Sequence, residues 1–486
     1  MNLLKHCKLT ILDEVNFKIE GLSIETRRKI ANKYKFALPN ARHTPACKLG
    51  RWDGAVSFFG IGGSGYNKHL GEILPIIEND RYDIEFEDRR VPDLFEFTEI
   101  KEDFHKGISW PTGHPDAGKP VILRDYQLSA INAFLTNTQC LQEISTGAGK
   151  TIITATLSKL CEQYGRTIVI VPNKSLVLQT EEDYVLCGLD VGVYYGDRKE
   201  FGKKHTICTW QSLDSIQREY KNDTSKMSVK DFANDVVAVI VDEVHSAKAT
   251  VLKDLLTKDF SNCQIRWGLT GTIPKEPMYF ESLRISIGEV INKVSAHDLQ
   301  QKGVLSKCHV NILQILDTKE FKTYQEELKF LISDKTRIDW MVQTIKNISS
   351  TGNTLVLIDR IATGDLIMEQ IPEATFISGG TKVKDRSDHY KAIHSADNQI
   401  TVATYGVAAV GINIPRIFNL VLIEPGKSFV RVIQSIGRGI RKAEDKSEVM
   451  IWDIASSCKF SKRHLATRKK YYNEAKYPHT ITKVDI

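Results

Sequence analysis

Short apolar runs that recur along most of the chain constrain its fold more than any other feature of the sequence. One of them, residues 236–241, is rich in β-branched side chains and lies between Asp235 and Asp242. Residues 167–171 and 264–269 form similar runs, and the segments between the runs are amphipathic. A strand that is apolar on both faces is typical of a parallel sheet covered by helices on both sides.

The same pattern returns in the second half of the chain, in residues 354–358, 400–403, 419–423 and 449–452. We therefore predict two doubly wound α/β domains in tandem. Residues 109–120 hold three prolines and two glycines, which neither a helix nor a central strand tolerates. The predicted organisation is a small α/β (α+β) N-terminal domain in residues 1–108, a linker in 109–120, and parallel-sheet domains in 121–310 and 311–486.

Composition excludes several classes of protein. The 486 residues are 42% apolar and 26% charged, which argues against extensive disorder. The apolar runs are far shorter than the roughly 20 residues of a membrane span, and the N-terminus lacks the pattern of a signal peptide, so we expect no membrane partner and a cytoplasmic location. Nine cysteines are scattered without a CxxC pair, which disfavours a disulfide framework or a structural zinc.

Charge is unevenly distributed, although the net charge is only +6. Residues 26–52 contain eight Lys or Arg and no acid, whereas residues 78–103 contain eleven acids. Arg27, Arg28, Lys29 and Arg51 are candidates for phosphate contact, with a solvated helix face as the alternative. Trp52 belongs either to the core or to a wedge that stacks on bases. The basic segment 458–476 is either a solvated terminal helix or a nucleic-acid contact.

Residues 144–151, ISTGAGKT, precede an apolar segment and carry the features of a phosphate-binding loop. Glycines let backbone amides approach an anion, Lys150 reaches the terminal phosphates and Thr151 can bind Mg²⁺. Ile144 stands where the usual pattern has its first glycine. The alternative is a glycine-containing turn before a core helix. The loop residues predicted to contact nucleotide are Thr146, Gly147, Ala148 and Gly149.

Asp242 and Glu243 follow the run at residues 236–241, so they are expected at the carboxyl edge of a parallel sheet, where ligands bind in open α/β folds. Asp242 would hold Mg²⁺ and Glu243 would deprotonate the attacking water. Alone, such a pair is more typical of a helix N-terminus. Together with the phosphate loop, it indicates nucleotide hydrolysis.

Three further segments fit the same chemistry. Gln127 offers an amide for an adenine edge, and Arg124 could stack on the ring. Residues 270–272, Thr-Gly-Thr, could relay the state of the phosphate. Gln434, Arg438 and Arg441 fall on one helical face, and such arginines can stabilise a γ-phosphate. Taken singly, each segment has a structural alternative: a helix start at residues 124–127, a strand end at 270–272 and a solvated basic helix at 434–441.

Six motifs follow one another along the chain, at Gln127 and at residues 144–151, 242–245, 270–272, 403–415 and 434–441. Their order resembles that of the motifs in superfamily-two helicases of the DExH type. This resemblance implies two RecA-like domains, ATP and Mg²⁺ as cofactors, and Gly411 near the nucleotide. It also implies contacts with the nucleic-acid backbone at these positions: Pro172, Asn173, Thr209, Trp210, Gln211, Thr404 and Gly406. Residues 50–54, GRWDG, are similar to a segment of phage helicases that carry a small N-terminal duplex-binding domain.

The function implied is an ATP-driven DNA helicase or translocase, acting as a monomer on branched or forked duplex during replication, recombination and repair. A phage origin would put it in the host cytoplasm. Three alternatives remain at this point: a double-strand translocase that does not unwind, a helicase for RNA or R-loops, and an ATP-switched clamp that does not hydrolyse ATP.

Overall fold

The structure is a computed structural model that describes residues 5–38, 41–91, 93–110, 117–246, 249–382, 385, 388–390, 392–393, 396–408, 416–441, 443 and 445–486. Within these ranges, the side chains of residues 246, 249, 408, 429–431, 434 and 438 are not described. Contacts divide the chain into two compact units. The first unit comprises Met1–Ile108, Pro120–Glu143 and Thr151–Lys293, and the second comprises Ser109–Lys119, Ile144–Lys150 and Val294–Ile486.

Twenty-one strands lie in the described part of the chain. They are β1 Lys5–Ile11, β2 Asn16–Glu20, β3 Lys35–Ala37, β4 Ala55–Ser57, β5 Ser64–Tyr66, β6 Tyr82–Asp88, β7 Gln139–Ile144, β8 Arg166–Val171, β9 Val191–Tyr195, β10 Arg198–Lys199, β11 His205–Thr209, β12 Val236–Asp242, β13 Ile265–Thr270, β14 Glu289–Val294, β15 Lys307–Ile315, β16 Thr354–Ile358, β17 Thr375–Ile377, β18 Ile400–Thr404, β19 Asn419–Ile423, β20 Glu448–Ser456 and β21 His479–Val484.

The α-helices of the described residues are α1 Ile24–Lys33, α2 Pro45–Lys48, α3 Leu70–Asn79, α4 Asp125–Leu135, α5 Lys150–Cys161, α6 Lys174–Leu186, α7 Trp210–Asn222, α8 Val229–Phe232, α9 Ala249–Asp254, α10 Pro277–Ser286, α11 Ala296–Gln301, α12 Tyr324–Ser333, α13 Lys335–Ser349, α14 Ile361–Gln370, α15 Tyr405–Ala408, α16 Phe429–Gly439 and α17 Lys459–Glu474. None of these helices combines the length and the apolarity that crossing a membrane requires.

A small sheet of order β5-β2-β1-β6 forms the N-terminal part of the first unit. Strand β2 alternates buried and more exposed residues, and its Phe17 and Ile19 are fully buried. Helix α1 begins after Ser23, whose hydroxyl accepts from the backbone N–H of Thr26. Ile30 of α1 packs into the same core. The period of two in β2 and the capped amphipathic helix together give a sheet that is covered on one face.

The first unit also holds an eight-stranded sheet of order β10-β9-β11-β8-β12-β13-β7-β14. The strands from β9 to β7 in this order run parallel, and β10 is antiparallel to β9. The apolar runs are buried on both faces, as at Ile168 and Ile240, which have no exposed surface. These strands need helices on both sides, and the amphipathic segments between them supply those helices.

The second unit holds a seven-stranded sheet of order β17-β18-β16-β19-β20-β15-β21, in which the neighbouring strands are parallel. Its core joins Val356 and Val421 of the sheet to Met341 and Ile345 of α13. The predicted fold class, α/β with two doubly wound parallel sheets and a small N-terminal sheet, is confirmed. The division into domains at 108, 120 and 310 stays a prediction.

Candidate nucleotide and nucleic-acid sites

The predicted phosphate loop follows the carboxyl end of β7 and ends where α5 begins, at Lys150. Gly147 and Gly149 have φ angles of +86° and +79°, a left-handed conformation that favours glycine. The Lys150 side chain is buried, and its Nζ donates to the carbonyl of Ile144 at 3.5 Å. The backbone therefore turns tightly before a helix N-terminus, which is the arrangement that binds phosphate.

The residues around this loop are mostly buried. Thr146 and Ala148 have little or no exposed surface, and Thr151 is half-buried in the first turn of α5. Asp183 of α6 is a neighbour of Thr151 that the sequence analysis missed. Burial raises the pKa of Asp183 to about 6, the charge of Glu182 adds to the rise, and a hydrogen bond with the Thr151 side chain opposes it. Asp183 thus adds a carboxyl group to the predicted Asp242 and Glu243, and it lies beside Thr151, the threonine predicted to bind magnesium.

Asp242 ends β12, and Glu243 follows it in a strained conformation. The φ angle of Glu243 is +51°, a region that costs a residue with a side chain on the order of 1–3 kcal/mol. Its backbone N–H donates to Asp242 Oδ1 at 2.8 Å, and its side chain is buried. Strain of this kind persists where the surroundings hold a functional group in one orientation.

His245 links the carboxylates to the loop after β13. Its Nδ1 lies 3.5 Å from Glu243 Oε2 and 2.5 Å from Thr270 Oγ1. Thr270 Oγ1 in turn donates to the carbonyl of Thr272 at 2.9 Å and accepts from the Thr272 N–H at 3.2 Å. The predicted residues of the 242–245 and 270–272 motifs therefore form one hydrogen-bonded network.

Gln127 and Arg124 lie at the start of α4. The Oε1 atom of Gln127 accepts from the backbone N–H of Arg124 at 2.9 Å, which satisfies one amide donor at the start of the helix. Arg124 Nη1 donates to the hydroxyl of Tyr126 at 3.1 Å. Gln127 thus has a structural bond in addition to the adenine contact predicted for it.

Two of the predicted backbone-contacting loops meet in the first unit. Asn173 caps α6, Thr209 caps α7, and Gln211 Nε2 donates to the carbonyl of Pro172 at 3.2 Å. Asn173, Thr209 and Gln211 line a cavity of about 370 Å³, which we call the α6–α7 groove. Trp210 is partly buried and packs against the core of the parallel sheet, and its predicted contact with nucleic acid stays a prediction.

The α6–α7 groove also has a basic and aromatic wall that the sequence analysis missed. It is formed by Lys174, Tyr194, Tyr195 and Lys199. Lys174 Nζ lies 5.9 Å from the ring centroid of Tyr195, and Lys199 Nζ lies 6.0 Å from that of Tyr194. Glu219 also lines the groove, but two helix N-termini, two lysines and several uncharged polar side chains outweigh its charge and suit a phosphate chain. The two tyrosines at 194–195, followed closely by Arg198 and Lys199, are the sequence signal that could have identified this wall.

In the second unit, the described residues cover only part of the predicted site. Thr404 ends β18, and Gly406 is exposed in α15. Gly411 lies outside the described residues, and Gln434 and Arg438 lie in α16 with side chains outside them. Arg441 is half-buried, and its carbonyl accepts from Ser306 Oγ at 3.4 Å.

Some of the N-terminal side chains predicted to contact phosphate are bonded within the protein, and others are exposed. Arg27 Nε donates to the carbonyl of Leu22 at 2.8 Å, and Lys29 pairs with Asp80 at 2.9 Å. Arg28 is exposed. The acid-free basic stretch is therefore partly neutralised by an acid that lies far away in the sequence.

A second group of cations lies in the loop between β3 and β4. Arg42, Lys48 and Arg51 are exposed there, and none of them forms an ion pair with a described residue. Trp52 is half-buried, and its Nε1 donates to the carbonyl of Ala55 at 2.8 Å. The Asp53 carboxylate accepts from the Ala55 N–H at 3.0 Å, so it caps a turn as its position before Gly54 predicts.

Two family descriptions match the chain. Residues 120–275 match "Type III restriction enzyme, res subunit", and residues 336–443 match "Helicase conserved C-terminal domain". Together they cover more than half of the chain and contain the phosphate loop, the 242–245 motif and Arg441. The chain belongs to the superfamily-two helicases. It is therefore an ATP-hydrolysing enzyme of helicase type, as the motifs indicate.

Named relatives agree with this family. The chain is 24% identical to the ATP-dependent DNA helicase uvsW of Enterobacteria phage T4 over 92% of this chain and 90% of the phage protein. It is 23% identical to the DNA 3'-5' helicase XPB of Kineococcus radiotolerans, over 75% of this chain and 65% of that protein. The structure of S. cerevisiae Dbp5 bound to RNA and ADP BeF3 matches with a TM-score of 0.52 and 14% identity, covering 75% of this chain and 94% of Dbp5.

Proposed function

We propose that this superfamily-two helicase is an ATP-driven DNA motor that acts on branched duplexes, in fork regression and branch migration during replication, recombination and repair. The observation that carries the proposal is the α6–α7 groove, where Asn173 and Gln211 come together beside Lys174 and Lys199. Amides, hydroxyls and lysines contact phosphate and sugar without reading bases. A motor that moves along DNA of any sequence needs this kind of surface.

ATP hydrolysis is assigned to the residues of the phosphate loop and the 242–245 motif. Lys150 would neutralise the terminal phosphates, and Thr151 and Asp242 fit a magnesium ion, which prefers oxygen ligands. When bound, this ion would offset the charge of the phosphates. Glu243 would orient and deprotonate the attacking water, and its fixed backbone supports that role.

Arg438 and Arg441 would supply the positive charge that stabilises the transition state of phosphoryl transfer. Their spacing of three residues and the family match over residues 336–443 support this assignment.

We assign the choice of branched DNA to the N-terminal sheet and its β3–β4 loop. The similarity to the phage T4 helicase extends over 92% of this chain, and Arg42, Lys48 and Arg51 are solvated cations on one loop. Within the first unit this sheet is anchored at a buried contact, where His69 Nε2 lies 2.6 Å from Glu281 Oε1 of α10. The same similarity supports a phage origin and, with it, a role in the host cytoplasm, and we propose a monomer.

A matched panel of substrates tests the proposal. ATP turnover and strand displacement are measured on linear duplex, fork, four-way junction, R-loop and RNA duplex of the same arm length. We expect both activities to be highest on the fork and the four-way junction. ATP turnover without strand displacement would indicate a double-strand translocase. Higher activity on the R-loop or the RNA duplex would indicate an RNA helicase. Absence of phosphate release with saturating DNA would indicate an ATP-switched clamp.

A further inference from the structure

Helix α17 presents three chemically distinct faces. Its buried face carries Leu465, Arg468 and Tyr472. On one flank lie Phe460 and His464, four residues apart. The remaining face is cationic and faces solvent. Residues that are three or four positions apart share a helix face, so these three groups stay separate along the helix.

The buried face of α17 fixes the helix on the second sheet. Arg468 makes two hydrogen bonds of 2.8 Å with the carboxylate of Asp453, and the Tyr472 hydroxyl donates to the same carboxylate at 2.7 Å. Glu327 accepts from the backbone N–H groups of Phe460 and Ser461 at the start of the helix. Charge-assisted bonds of this kind hold the orientation of the other two faces.

The cationic face contains five basic side chains and no acid before Glu474. Lys459, Lys462, Arg463 and Lys470 are exposed, and Lys469 is half-buried. None of the five forms an ion pair with a described residue. Lys459, Arg463 and Lys470 are spaced by four and seven residues, so they form one row along the edge of this face.

The flank beside that row opens onto a pocket of about 380 Å³, which we call the aromatic pocket. It is lined by Tyr324, Phe460, His464 and the loop of residues 425–428. The ring centroid of Tyr324 lies 5.1 Å from that of His464 and 6.1 Å from that of Phe460. The pKa of His464 is lowered by burial, and the charges of Arg468 and Lys427 lower it further.

We propose that the cationic row of α17 and the aromatic pocket together form a binding site for single-stranded DNA, with phosphates on Lys459, Arg463 and Lys470 and a base in the pocket. Aromatic side chains next to a basic track are the combination that binds single strands, since every base can stack. The volume lies within the range of roughly 300–1,000 Å³ that ligand pockets have. This site rests on the proposed function, because it supplies a second contact for the strand that the motor tracks.

The phosphate part is tested with the triple variant Lys459→Gln, Arg463→Gln, Lys470→Gln in the full chain. Its control is the triple variant Lys307→Gln, Lys335→Gln, Lys483→Gln, which removes the same charge from exposed lysines on β15, α13 and β21. Binding of a labelled oligothymidylate is measured from low to high salt without ATP. We expect the α17 variant to lower the log–log salt slope by about 2, at about 0.7 per lost single-strand contact, and the control to leave it unchanged. Equal slopes for the two variants would overturn the proposal.

The base pocket is tested with Phe460→Leu, which removes the ring and keeps an apolar side chain, and with Phe460→Tyr, which keeps the ring. The probes are the oligothymidylate and an abasic oligomer of the same length. We expect Phe460→Leu to bind the oligothymidylate about tenfold more weakly, as loss of one stacked base predicts, and the abasic oligomer equally well. Phe460→Tyr should restore the affinity. Equal effects on both probes would indicate a general polyanion surface and would overturn the base site.

These binding measurements separate this inference from the proposed motor function. If the parent hydrolyses ATP with DNA but neither α17 variant changes binding, the α17 site is wrong and the motor stands. If the α17 variants change binding but the parent never hydrolyses ATP, the proposed motor is wrong and the α17 site stands.

Discussion

His245 Nδ1 lies 2.5 Å from Thr270 Oγ1, which joins the segment that carries Asp242 and Glu243 to the loop after β13. The same nitrogen lies 3.5 Å from Glu243 Oε2. A change in the charge near Glu243 can therefore reach the β13 loop through one imidazole. We infer that this connection couples hydrolysis to movement of the nucleic acid.

Thr270→Val tests that coupling, because it keeps the shape of the side chain and removes the hydroxyl that contacts His245. We expect basal ATP turnover to stay within about twofold, and strand displacement per ATP to fall about tenfold, as loss of a buried hydrogen bond predicts. Thr272→Val is the matched control, since among the described residues its buried hydroxyl has no hydrogen-bond partner. If both variants lose displacement equally, the His245–Thr270 bond does not carry the coupling.

Glu243→Gln removes the proposed base and keeps the size of the side chain. We expect ATP turnover to fall at least 10²-fold, since general bases contribute about 10²–10⁴-fold, whereas ATP affinity stays within about twofold. Phosphate release and binding of a fluorescent nucleotide measure the two quantities on the same sample. Turnover at the parent rate would show that another group activates the water, and Asp183 would be the next carboxyl group to test.

Arg438→Ala and Arg441→Ala separate the two arginines of the last motif. The one that stabilises the transition state should lower turnover on the order of 10³-fold with little change in ATP affinity. Substitution of the other arginine should lower strand displacement per ATP and should reduce ATP turnover less. Single-turnover kinetics and nucleotide affinity are measured for each variant. Lower affinity with unchanged turnover in both would mean that these arginines only hold the nucleotide.

The N-terminal loop is tested by point substitution, because deletion of residues 1–108 would expose Met278 and Ile285, which pack in the N-terminal core. The triple variant Arg42→Gln, Lys48→Gln, Arg51→Gln should weaken binding to a four-way junction and lower its salt slope by about 0.9 for each lost contact. Basal ATP turnover should not change.

The control for the N-terminal loop is Lys101→Gln, Lys106→Gln, Lys226→Gln, which removes the same charge from exposed lysines elsewhere in the first unit. Fluorescence anisotropy with a labelled junction and a linear duplex measures both triple variants. Equal weakening by the two would assign the effect to net charge, and the β3–β4 loop would then have no special role.

Local patterns predict the strands well. The runs at 354–358 and 419–423 coincide with β16 and β19, because a strand buried on both faces leaves a continuous apolar signal. The phosphate loop is also evident from the sequence, since Gly147 and Gly149 adopt a conformation that other residues avoid.

Contacts between distant residues were not predictable in this way. Lys29 contacts Asp80, and His69 contacts Glu281, only in the folded chain. Neither pair follows from the spacing of residues within one helix or strand. The wall of the α6–α7 groove depends on the packing of β9 and β10 against two helix N-termini. The motif predicts a nucleic-acid contact at Trp210, and its spacing from Leu213 and Ile216 also places it beside a buried helix face.

ATP turnover by Lys150→Ala, with and without forked DNA, tests the central claim most directly. Lys150 is the ammonium group of the proposed phosphate loop, and it lies outside the α6–α7 groove and helix α17. We predict that the variant loses both basal and DNA-stimulated phosphate release but binds forked DNA within about twofold of the parent. DNA-stimulated turnover at the parent rate would contradict the account, because the loop at residues 144–151 would then not be the site that powers the motor.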